Sequence, residues 1–366
     1  MEILTEKIDL NNLDKSNWET FKFDEIAQKI SKTIDPNETI LETYVGLEHI
    51  DAEDLHIRRK GTPDDVKGGK LRCYPGDIIF GKRRAYQRKA AIVDFDGICS
   101  AHAFVLRANS EVIDPKLFPF FLHSDQFMHR MVDISVGGLS PTINWGDLKH
   151  QEFLLPPKDQ QAQLAKLLWA MDEVIEKEKE VYNSLSLNKM CFINELKKNS
   201  TDLITLRELF DINWGDTNTT KKSYVNSGYT AFSASGPDGY LNKYDFDTYG
   251  IVLSAIGAEC GKCFLAEGKW SAIKNTITLI PKEIDEAYVK IIFEIINNKS
   301  YWPSNGGAQP FISQATARKS KIPFLTPNNI SEKYKILCAF NIGLNDSKLN
   351  ISAKKSLQKS LINQIF

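Results

Sequence analysis

The length and the charge balance of this chain exclude several classes of protein before any motif is considered. With 366 residues, of which 42% are hydrophobic and 25% are charged, the chain is long enough for two packed domains and does not have a disordered composition. Its net charge of -1 excludes a global basic field, so any surface that binds nucleic acid must be local.

The amino terminus and the cysteines bear on the compartment of the protein. The first residues lack the basic-then-apolar pattern of a signal peptide, and no apolar run approaches the roughly 20 residues of a membrane span. The six cysteines are scattered without the spacing of a disulfide framework. We therefore expect a cytoplasmic protein with free thiols and no membrane partner.

Residues 1–157 are predicted to form a first head of the α+β class. Short β-type runs such as 76–80 and 99–106 are separated by Gly, Pro and Asp turns, and 115–130 has a helical pattern. Because His102 lies inside one of the apolar runs, we expect it to be a core residue.

The sharpest local feature of the first head is a basic run at 82–89, directly after the strand-like segment that ends at Phe80. Five of its eight residues are Lys or Arg, with Tyr and Gln between them. Arg and Lys suit phosphates and guanine edges, and Gln suits adenine edges. A solvated charged turn is the alternative. We predict that the run contacts DNA through Lys82, Arg83, Arg84, Tyr86, Gln87, Arg88 and Lys89.

Residues 158–200 and 329–366 are each predicted to form a long helix. From 158 to about 198 there is no Pro or Gly, and apolar residues form a heptad seam that is interrupted by Glu178 and Lys189. The carboxyl-terminal seam is less regular, and Gly343 weakens it. Neither helix can bury its apolar stripe alone, so we expect the two to pair antiparallel. Oligomerisation through the helices is the alternative.

A weak repeat organises the chain. The pattern G-G-x-x-P-x-I occurs at 137–143 and again at 306–312, and each copy precedes a basic stretch, an apolar run and a helical pattern. Upstream, the run 76–80 corresponds to 249–253. Residues 201–328 are therefore predicted to form a second α+β head like the first. Two heads and two helices would give a pseudo-twofold arrangement, which suits two half-sites on one duplex.

The loops at the repeated pattern and several dispersed cations are further candidates for DNA contact. The glycine pair lets backbone approach phosphate closely, although a plain turn has the same composition. The first loop offers Ser140, Thr142 and Asn144, and the second loop offers Gln309, Ser313 and Gln314. The cationic candidates of the second head are Lys221, Lys222, Lys262 and Lys274.

Patterns for catalysis and metal binding are incomplete in this sequence. The segment 257–263 resembles a phosphate-binding loop, but it is one residue short and has Cys263 where Ser or Thr belongs. Cys260 and Cys263 form a C-x-x-C without a second pair of ligands. The histidines form no H-E-x-x-H, and the N-P-P-F or D-P-P-Y loop of amino-methyltransferases is missing. We predict no catalytic centre, no metal and no cofactor.

At these residues the chain resembles the specificity (S) subunits of type I restriction-modification systems, over essentially its whole length. The repeated G-G-x-x-P-x-I carries the resemblance, together with the helix entry at 155–161, which is similar to the family's L-P-P-L-x-E-Q. Segments 44–50 and 231–240 look like parts of the family's target-recognition domains. The second helix entry, at 325–331, departs further from the family pattern.

The resemblance implies a DNA-binding subunit without catalytic activity, whose two target-recognition domains read short sequences on either side of an unread spacer. It implies double-stranded DNA, methyltransferase (M) subunits docked on the helices and a restriction (R) subunit as partners. Those partners would use S-adenosylmethionine and ATP, and this chain would need neither. A specificity subunit of another restriction class, a coiled-coil scaffold whose heads bind protein, and an enzyme with an unfamiliar site are the alternatives. Salt-dependent affinity for duplex DNA would separate a DNA reader from a scaffold.

Overall fold

The computed structural model describes residues 13–198, 202–303 and 309–366, which divide into two compact units. The first unit contains the described residues up to Lys179 together with Leu349–Phe366, and the second contains those within Glu180–Lys348. The described residues do not include the amino-terminal segment that lacks a signal-peptide pattern. They also do not include the glycine pair of the second G-G-x-x-P-x-I copy. Within the described ranges, no helix combines the length and the apolarity that crossing a membrane requires.

The first head, residues 13–157, combines two four-stranded sheets with a two-stranded ladder. Its strands are β1 (Glu19–Lys22), β2 (Ala27–Ile30), β3 (Thr33–Ile34), β4 (Tyr44–Val45), β5 (Lys70–Cys73), β6 (Ile78–Phe80), β7 (Ala90–Ile92), β8 (Gly97–Cys99), β9 (Phe104–Ala108) and β10 (Glu152–Leu155). Its helices are α1 (Phe23–Ile26), α2 (Phe118–His123), α3 (Asp125–Asp133) and α4 (Trp145–Leu148). The sheet orders are β2-β9-β6-β7 and β3-β5-β8-β4, and β1 pairs with β10.

Two details of the first head differ from expectation, and local polar bonds explain both. The helix predicted over 115–130 is two helices, because Ser124 is extended and its Oγ accepts a hydrogen bond from Phe127 N at 3.2 Å, which caps α3. The expectation that His102 is a core residue is wrong, since it is exposed in a turn between β8 and β9. The Oγ of Ser100 accepts from His102 N at 3.2 Å and helps to close that turn.

The second head, residues 202–326, repeats the plan of the first. Its strands are β11 (Leu203–Thr205), β12 (Phe210–Trp214), β13 (Tyr229–Ser233), β14 (Gly236–Leu241), β15 (Phe246–Asp247), β16 (Gly250–Ser254), β17 (Cys263–Ala266), β18 (Lys269–Ala272), β19 (Thr276–Pro281) and β20 (Lys321–Pro323). The long helix α5 (Lys158–Lys198) precedes them, and α6 (Leu206–Leu209), α7 (Glu286–Ile296) and α8 (Gln314–Lys319) lie among them.

The correspondence of the two heads extends to strand order and direction. The sheet β12-β19-β16-β17 has the order of β2-β9-β6-β7, and all neighbours in both sheets are antiparallel. The ladder β11-β20 repeats β1-β10, and the parallel pair β13-β18 repeats β4-β8. The repeat inferred from G-G-x-x-P-x-I is therefore a repeat of the fold.

The long helices α5 and α9 (Pro327–Ile365) pair antiparallel within each unit. In the first unit, Lys354 Nζ lies 2.5 Å from Glu178 Oε2, and Gln358 Nε2 lies 3.5 Å from Asp172 Oδ1. From the first of these pairs to the second, the residue number rises along α9 and falls along α5, so the two helices run in opposite directions. Glu178, which interrupts the apolar seam of α5, is thus paired with the ammonium group of Lys354 on the facing helix.

In the second unit the same antiparallel pairing brings Phe192 within 5.9 Å of Phe340, measured between ring centroids. Gly343 faces Leu185 so closely that a Cβ on the glycine would lie 3.3 Å from Leu185 Cδ1. The glycine that the sequence marked as a weak point therefore permits a close approach, and α9 continues through it. The second interruption of the seam, Lys189, pairs with Glu294 of α7 at 2.8 Å.

Candidate nucleic-acid interface

In the first head the basic run and the G-G-x-x-P-x-I loop lie side by side, although Arg84 and Ser140, which join them, are 56 positions apart in the sequence. Arg84 N donates to Pro141 O at 2.7 Å, and Ile143 N donates to Lys82 O at 2.9 Å. Arg84 Nε also donates to Ser140 Oγ at 3.1 Å. Two segments that were predicted independently thus form one continuous surface.

Within the basic run, Arg83, Arg84 and Tyr86 are exposed, and their side chains face solvent. Among the described residues, no carboxylate lies within ion-pair distance of either arginine. Arg84 adopts a left-handed backbone with φ of +57°, which costs a non-glycine residue roughly 1–2 kcal/mol. Such a conformation persists only where its surroundings hold it, and the bonds to Pro141 and Ser140 do so.

The other cations of the run are engaged inside the head. Arg88 forms ion pairs with Glu53 at 2.8 Å and with Asp125 at 2.7 Å, and Lys89 Nζ donates to Leu47 O at 2.6 Å. Glu53 also binds Lys359 of α9 at 2.6 Å, within the same unit. These contacts anchor the carboxyl-terminal end of the run to the head, whereas Arg83 and Arg84 remain exposed to solvent.

The remaining candidates of the first head are intermediate in exposure or lie at a cap. Lys82 is half-buried with its Nζ 5.2 Å from the centre of the Phe104 ring, and burial, together with the charge of Lys29, lowers the pKa of its ammonium group. Gln87 and Thr142 are half-buried. Asn144 is exposed at the start of α4, with its Nδ2 3.3 Å from Asp147 Oδ2.

The second head pairs its corresponding loops with the same two backbone bonds. Gly257 N donates to Pro310 O at 3.1 Å, and Ile312 N donates to Ala255 O at 2.9 Å. The proline carbonyl and the isoleucine amide of G-G-x-x-P-x-I are used in both heads, so 255–257 is the counterpart of 82–84. Sequence comparison missed this match because the first head has Lys and two Arg where the second has Ala, Ile and Gly. Extending the paired strands 76–80 and 249–253 beyond their ends would have found it.

The four candidate cations of the second head differ in exposure and in ion pairing. Lys222 and Lys274 are exposed and form no ion pair with any described residue. Lys221 pairs with Asp238, and Lys262 pairs with Glu259 at 3.4 Å. The backbone places Lys274 beside the loop, because Ala255 N donates to the carbonyl of the next residue, Asn275, at 3.0 Å.

Of the polar loop residues in the second head, one is exposed and two form hydrogen bonds within the head. Gln309 is exposed, whereas Gln314 Nε2 donates to Ile212 O at 2.6 Å and Ser313 Oγ caps α8 by accepting from Thr316 N at 3.0 Å.

Trp214, at the end of β12, is 36% exposed and was not among the predicted residues. An aromatic at the end of a strand-like run is expected to be a core residue, so the sequence carried no signal for its exposure.

The C-x-x-C segment of the second head is part of the core. Burial raises the pKa of both the Cys260 and the Cys263 thiols, and their Sγ atoms lie 3.3 Å from Ala255 O and 3.7 Å from Ile296 O. All six cysteines are free thiols, as expected.

Three possible metal ligands converge in the first unit but belong to an ion-pair network. The ligand atoms of His56, Asp172 and Glu176 lie within 4.8 Å of one another. Glu176 already binds Arg58 at 2.6 Å and Lys179 at 2.8 Å, and two cations at the same carboxylate oppose a metal ion there. The group instead joins the first head to α5.

The pKa values in this network follow from its hydrogen bonds. Burial alone would raise the pKa of Glu176, but the hydrogen bonds and charges of Arg58 and Lys179 lower it to about 2. A hydrogen bond to Asp172 at 2.7 Å raises the pKa of His56, against the opposing effect of burial.

The raised pKa of His56 predicts a pH dependence of stability. The protonated form is favoured by the fold, so its contribution is fully present below the ordinary histidine pKa and is lost as the pH rises through the folded pKa. We expect His56→Gln to cost about 1–2 kcal/mol of unfolding free energy at pH 6 and much less at pH 8.5, measured by urea denaturation. The exposed His102 offers the control His102→Gln, for which we expect no comparable change. Equal losses for His56→Gln at both pH values would contradict the charged pair.

Comparison with known proteins decides the family of the chain. The family model described as the type I restriction modification DNA specificity domain matches it twice, at residues 15–187 and 200–352. The chain belongs to this family. The predicted resemblance to type I specificity subunits is thereby confirmed. Such subunits recognise DNA and are not catalytic, since catalysis lies in their partner subunits.

Two curated type I specificity subunits are similar to this chain over part of their length. The specificity subunit of the EcoDI enzyme of Escherichia coli is 29% identical over 176 residues, which are 47% of this chain and 38% of that protein. The putative MjaX specificity subunit of Methanocaldococcus jannaschii is 26% identical over 156 residues, 39% of this chain and 37% of that protein. The matched part of this chain thus spans less than two fifths of either relative.

Two solved structures share the fold over nearly the whole chain. A chain from a study of complex assembly and conformational transition of the type I system has a TM-score of 0.64 and 18% identity, covering 95% of this chain and 97% of that chain. The type I S subunit from M. genitalium has a TM-score of 0.55 and 17% identity, covering 96% of both. At these identities the likeness concerns the fold alone. It confirms the predicted class, two α+β recognition domains with long paired helices.

Proposed function

We propose that this chain is the DNA-reading subunit of a type I restriction-modification complex, and that each head reads one part of a bipartite target. The single observation that carries the proposal is the loop pair made by the same two backbone bonds in both heads, 82–84 with 141–143 and 255–257 with 310–312. A repeated scaffold that presents different side chains is what reading two different short sequences requires. The family membership supplies the class of ligand.

In the first head the proposed reading surface is Arg83, Arg84 and Tyr86 with the adjoining loop. The guanidinium group of arginine is always protonated, and it presents hydrogen-bond donors in a rigid planar arrangement that matches guanine edges and phosphates. The two arginines have no carboxylate partner among the described residues, so binding DNA would break no ion pair. The braces formed by Arg88 and Lys89 hold the run in place, which reduces the ordering cost of binding.

In the second head the proposed surface is more polar and less charged. Lys222 and Lys274 would contact phosphates, and the exposed Gln309 would reach base edges. Gln314 and Ser313 would position the loop through their bonds to Ile212 and within α8. Lys221 and Lys262 have to leave carboxylates before they bind DNA, so we assign them smaller contributions.

The partners follow from the same role. M subunits would dock on α5 and α9, and an R subunit would join the complex, with S-adenosylmethionine and ATP used by those partners. A DNA ligand and free thiols both suit the cytoplasm. A specificity subunit of another restriction class would have the same two reading heads and would be distinguished by the enzymes encoded beside it.

The test is to co-express the full chain with the M subunit encoded beside it and to map DNA methylation by single-molecule sequencing. We expect a split motif of two short specified blocks around a fixed gap, which disappears when this chain is omitted. An assembled complex with an active partner and no motif would contradict the proposal and would favour a scaffold whose heads bind protein.

A further inference from the structure

A fully exposed leucine lies at the tip of the loop in the first head. Leu139 is 97% exposed, and Val136, at the base of the same loop, is 56% exposed. Single exposed apolar residues are common on protein surfaces, so exposure alone assigns no role to Leu139. The rigidity of the loop and the charges beside it make this residue different.

The loop is clamped at its base and along one side. Val136 N donates to Thr142 O at 3.1 Å, and Thr142 N donates to Val136 O at 2.9 Å, which closes a hairpin over 137–141. Gly137 has φ of +111°, a conformation that side chains rarely adopt, so the turn depends on glycine there. On one side Arg84 binds the loop twice, through Pro141 O and Ser140 Oγ. A clamped loop cannot easily fold its leucine back onto the surface.

The neighbours of Leu139 match a nucleic-acid duplex. The exposed Arg83 and Arg84 offer positive charge beside the tip, and Tyr86 is 55% exposed on the same run. A duplex presents phosphates on the outside and an apolar base stack between them. Proteins that bend DNA use this combination, with cations on the backbone and a Leu, Phe or Met side chain between two base pairs.

Resting on the proposed function, we propose that Leu139 is a wedge that enters the half-site of the first head, partly unstacks one base step and kinks the duplex. Arg83 and Arg84 contact phosphates and guanine edges beside that step. The sequence repeat places Ala308 at the position of Leu139 in the second copy of G-G-x-x-P-x-I. An alanine is too short to part a base step, so the kink belongs to one half-site only.

The experiment uses the full chain assembled with its M subunit and duplexes that carry the target found by methylation mapping. The fluorescent base 2-aminopurine is placed in turn at each step of both half-sites except at the methylated bases, because a methyltransferase flips its target base out of the stack. We expect its fluorescence to rise on binding at one step of one half-site. We expect Leu139→Ala to abolish the rise and to weaken binding about 3- to 10-fold without changing the salt dependence, because the phosphate contacts remain. Leu139→Met should retain the rise, and Ile40→Ala, which removes an apolar side chain of the first head that is 98% exposed, is the matched control.

The outcomes separate the wedge from the proposed function. A rise that survives Leu139→Ala, or rises of equal size in both half-sites, would overturn the wedge and leave the chain a DNA reader. An absence of any rise with tight and specific binding would overturn it in the same way. Failure of the wild-type complex to bind the duplex specifically would overturn the proposed function and the wedge together.

Discussion

Replacing both Arg83 and Arg84 by alanine is expected to weaken binding to the target duplex about 100-fold, with the slope of log affinity against log salt reduced by about 2. The reason is that both side chains are exposed and lack a carboxylate partner among the described residues, so each is available to a phosphate or a guanine. The measurement is duplex affinity by fluorescence anisotropy across a salt series, with the M subunit present.

The first head offers a matched control for this double substitution. Arg59 and Lys60 are also adjacent cations, but they form ion pairs with Asp51 at 2.5 Å and with Asp94 at 2.8 Å. Replacing both by alanine removes the same charge, and we expect affinity and salt slope to change little. If the two double variants lose affinity equally, the effect is one of net charge, and the assigned surface is wrong.

The second large effect is expected in the core of the first unit. Phe121 is fully buried, and its ring centroid lies 5.2 Å from that of Phe153 and 5.3 Å from those of Phe127 and Phe366. Phe121→Ala should reduce the free energy of unfolding of this unit by about 3–5 kcal/mol, because it leaves a cavity among these rings. Urea denaturation and hydrogen exchange of peptides from 118–133 would measure the loss.

A double-mutant cycle extends this prediction to the carboxyl-terminal helix. Phe366 follows the last residue of α9, and its ring meets Phe121 at 65° between planes, an edge-to-face arrangement. We expect a coupling free energy of about 0.5–1.5 kcal/mol between Phe121→Ala and Phe366→Ala. Additive losses would show that the end of α9 does not dock on the first head. Leu357→Ala, at a half-exposed position of α9, should cost less than about 0.5 kcal/mol.

The features that depend on local periodicity could be predicted from the sequence. The long helices follow from the heptad seam and the lack of Pro and Gly over 158–198. The repeat follows from G-G-x-x-P-x-I, whose proline carbonyl and isoleucine amide make the same bonds in both heads. Patterns that fix the backbone survive when the side chains around them change.

The features that depend on distant partners could not be predicted. Nothing local in 82–89 distinguishes Arg84, which faces solvent, from Arg88, which is committed to Glu53 and Asp125. The apolar residues around His102 predict a continuous strand and therefore a core position, because the sequence pattern does not show that the chain turns at Ser100. The equivalence of 82–84 and 255–257 was hidden because it rests on backbone bonds and not on residue type. The individual DNA contacts remain predictions.

The most direct test of the central claim, that each head reads its own part of the target through its loop pair, is to compare methylation maps of two variants with that of the wild type. One variant carries Arg83→Ala and Arg84→Ala in the first head, and the other carries Lys274→Ala and Gln309→Ala in the second. We predict that each variant relaxes or loses a different half of the split motif and leaves the other half specified. Relaxation of the same half by both variants, or an unchanged motif in both, would contradict the assignment of one reading surface to each head.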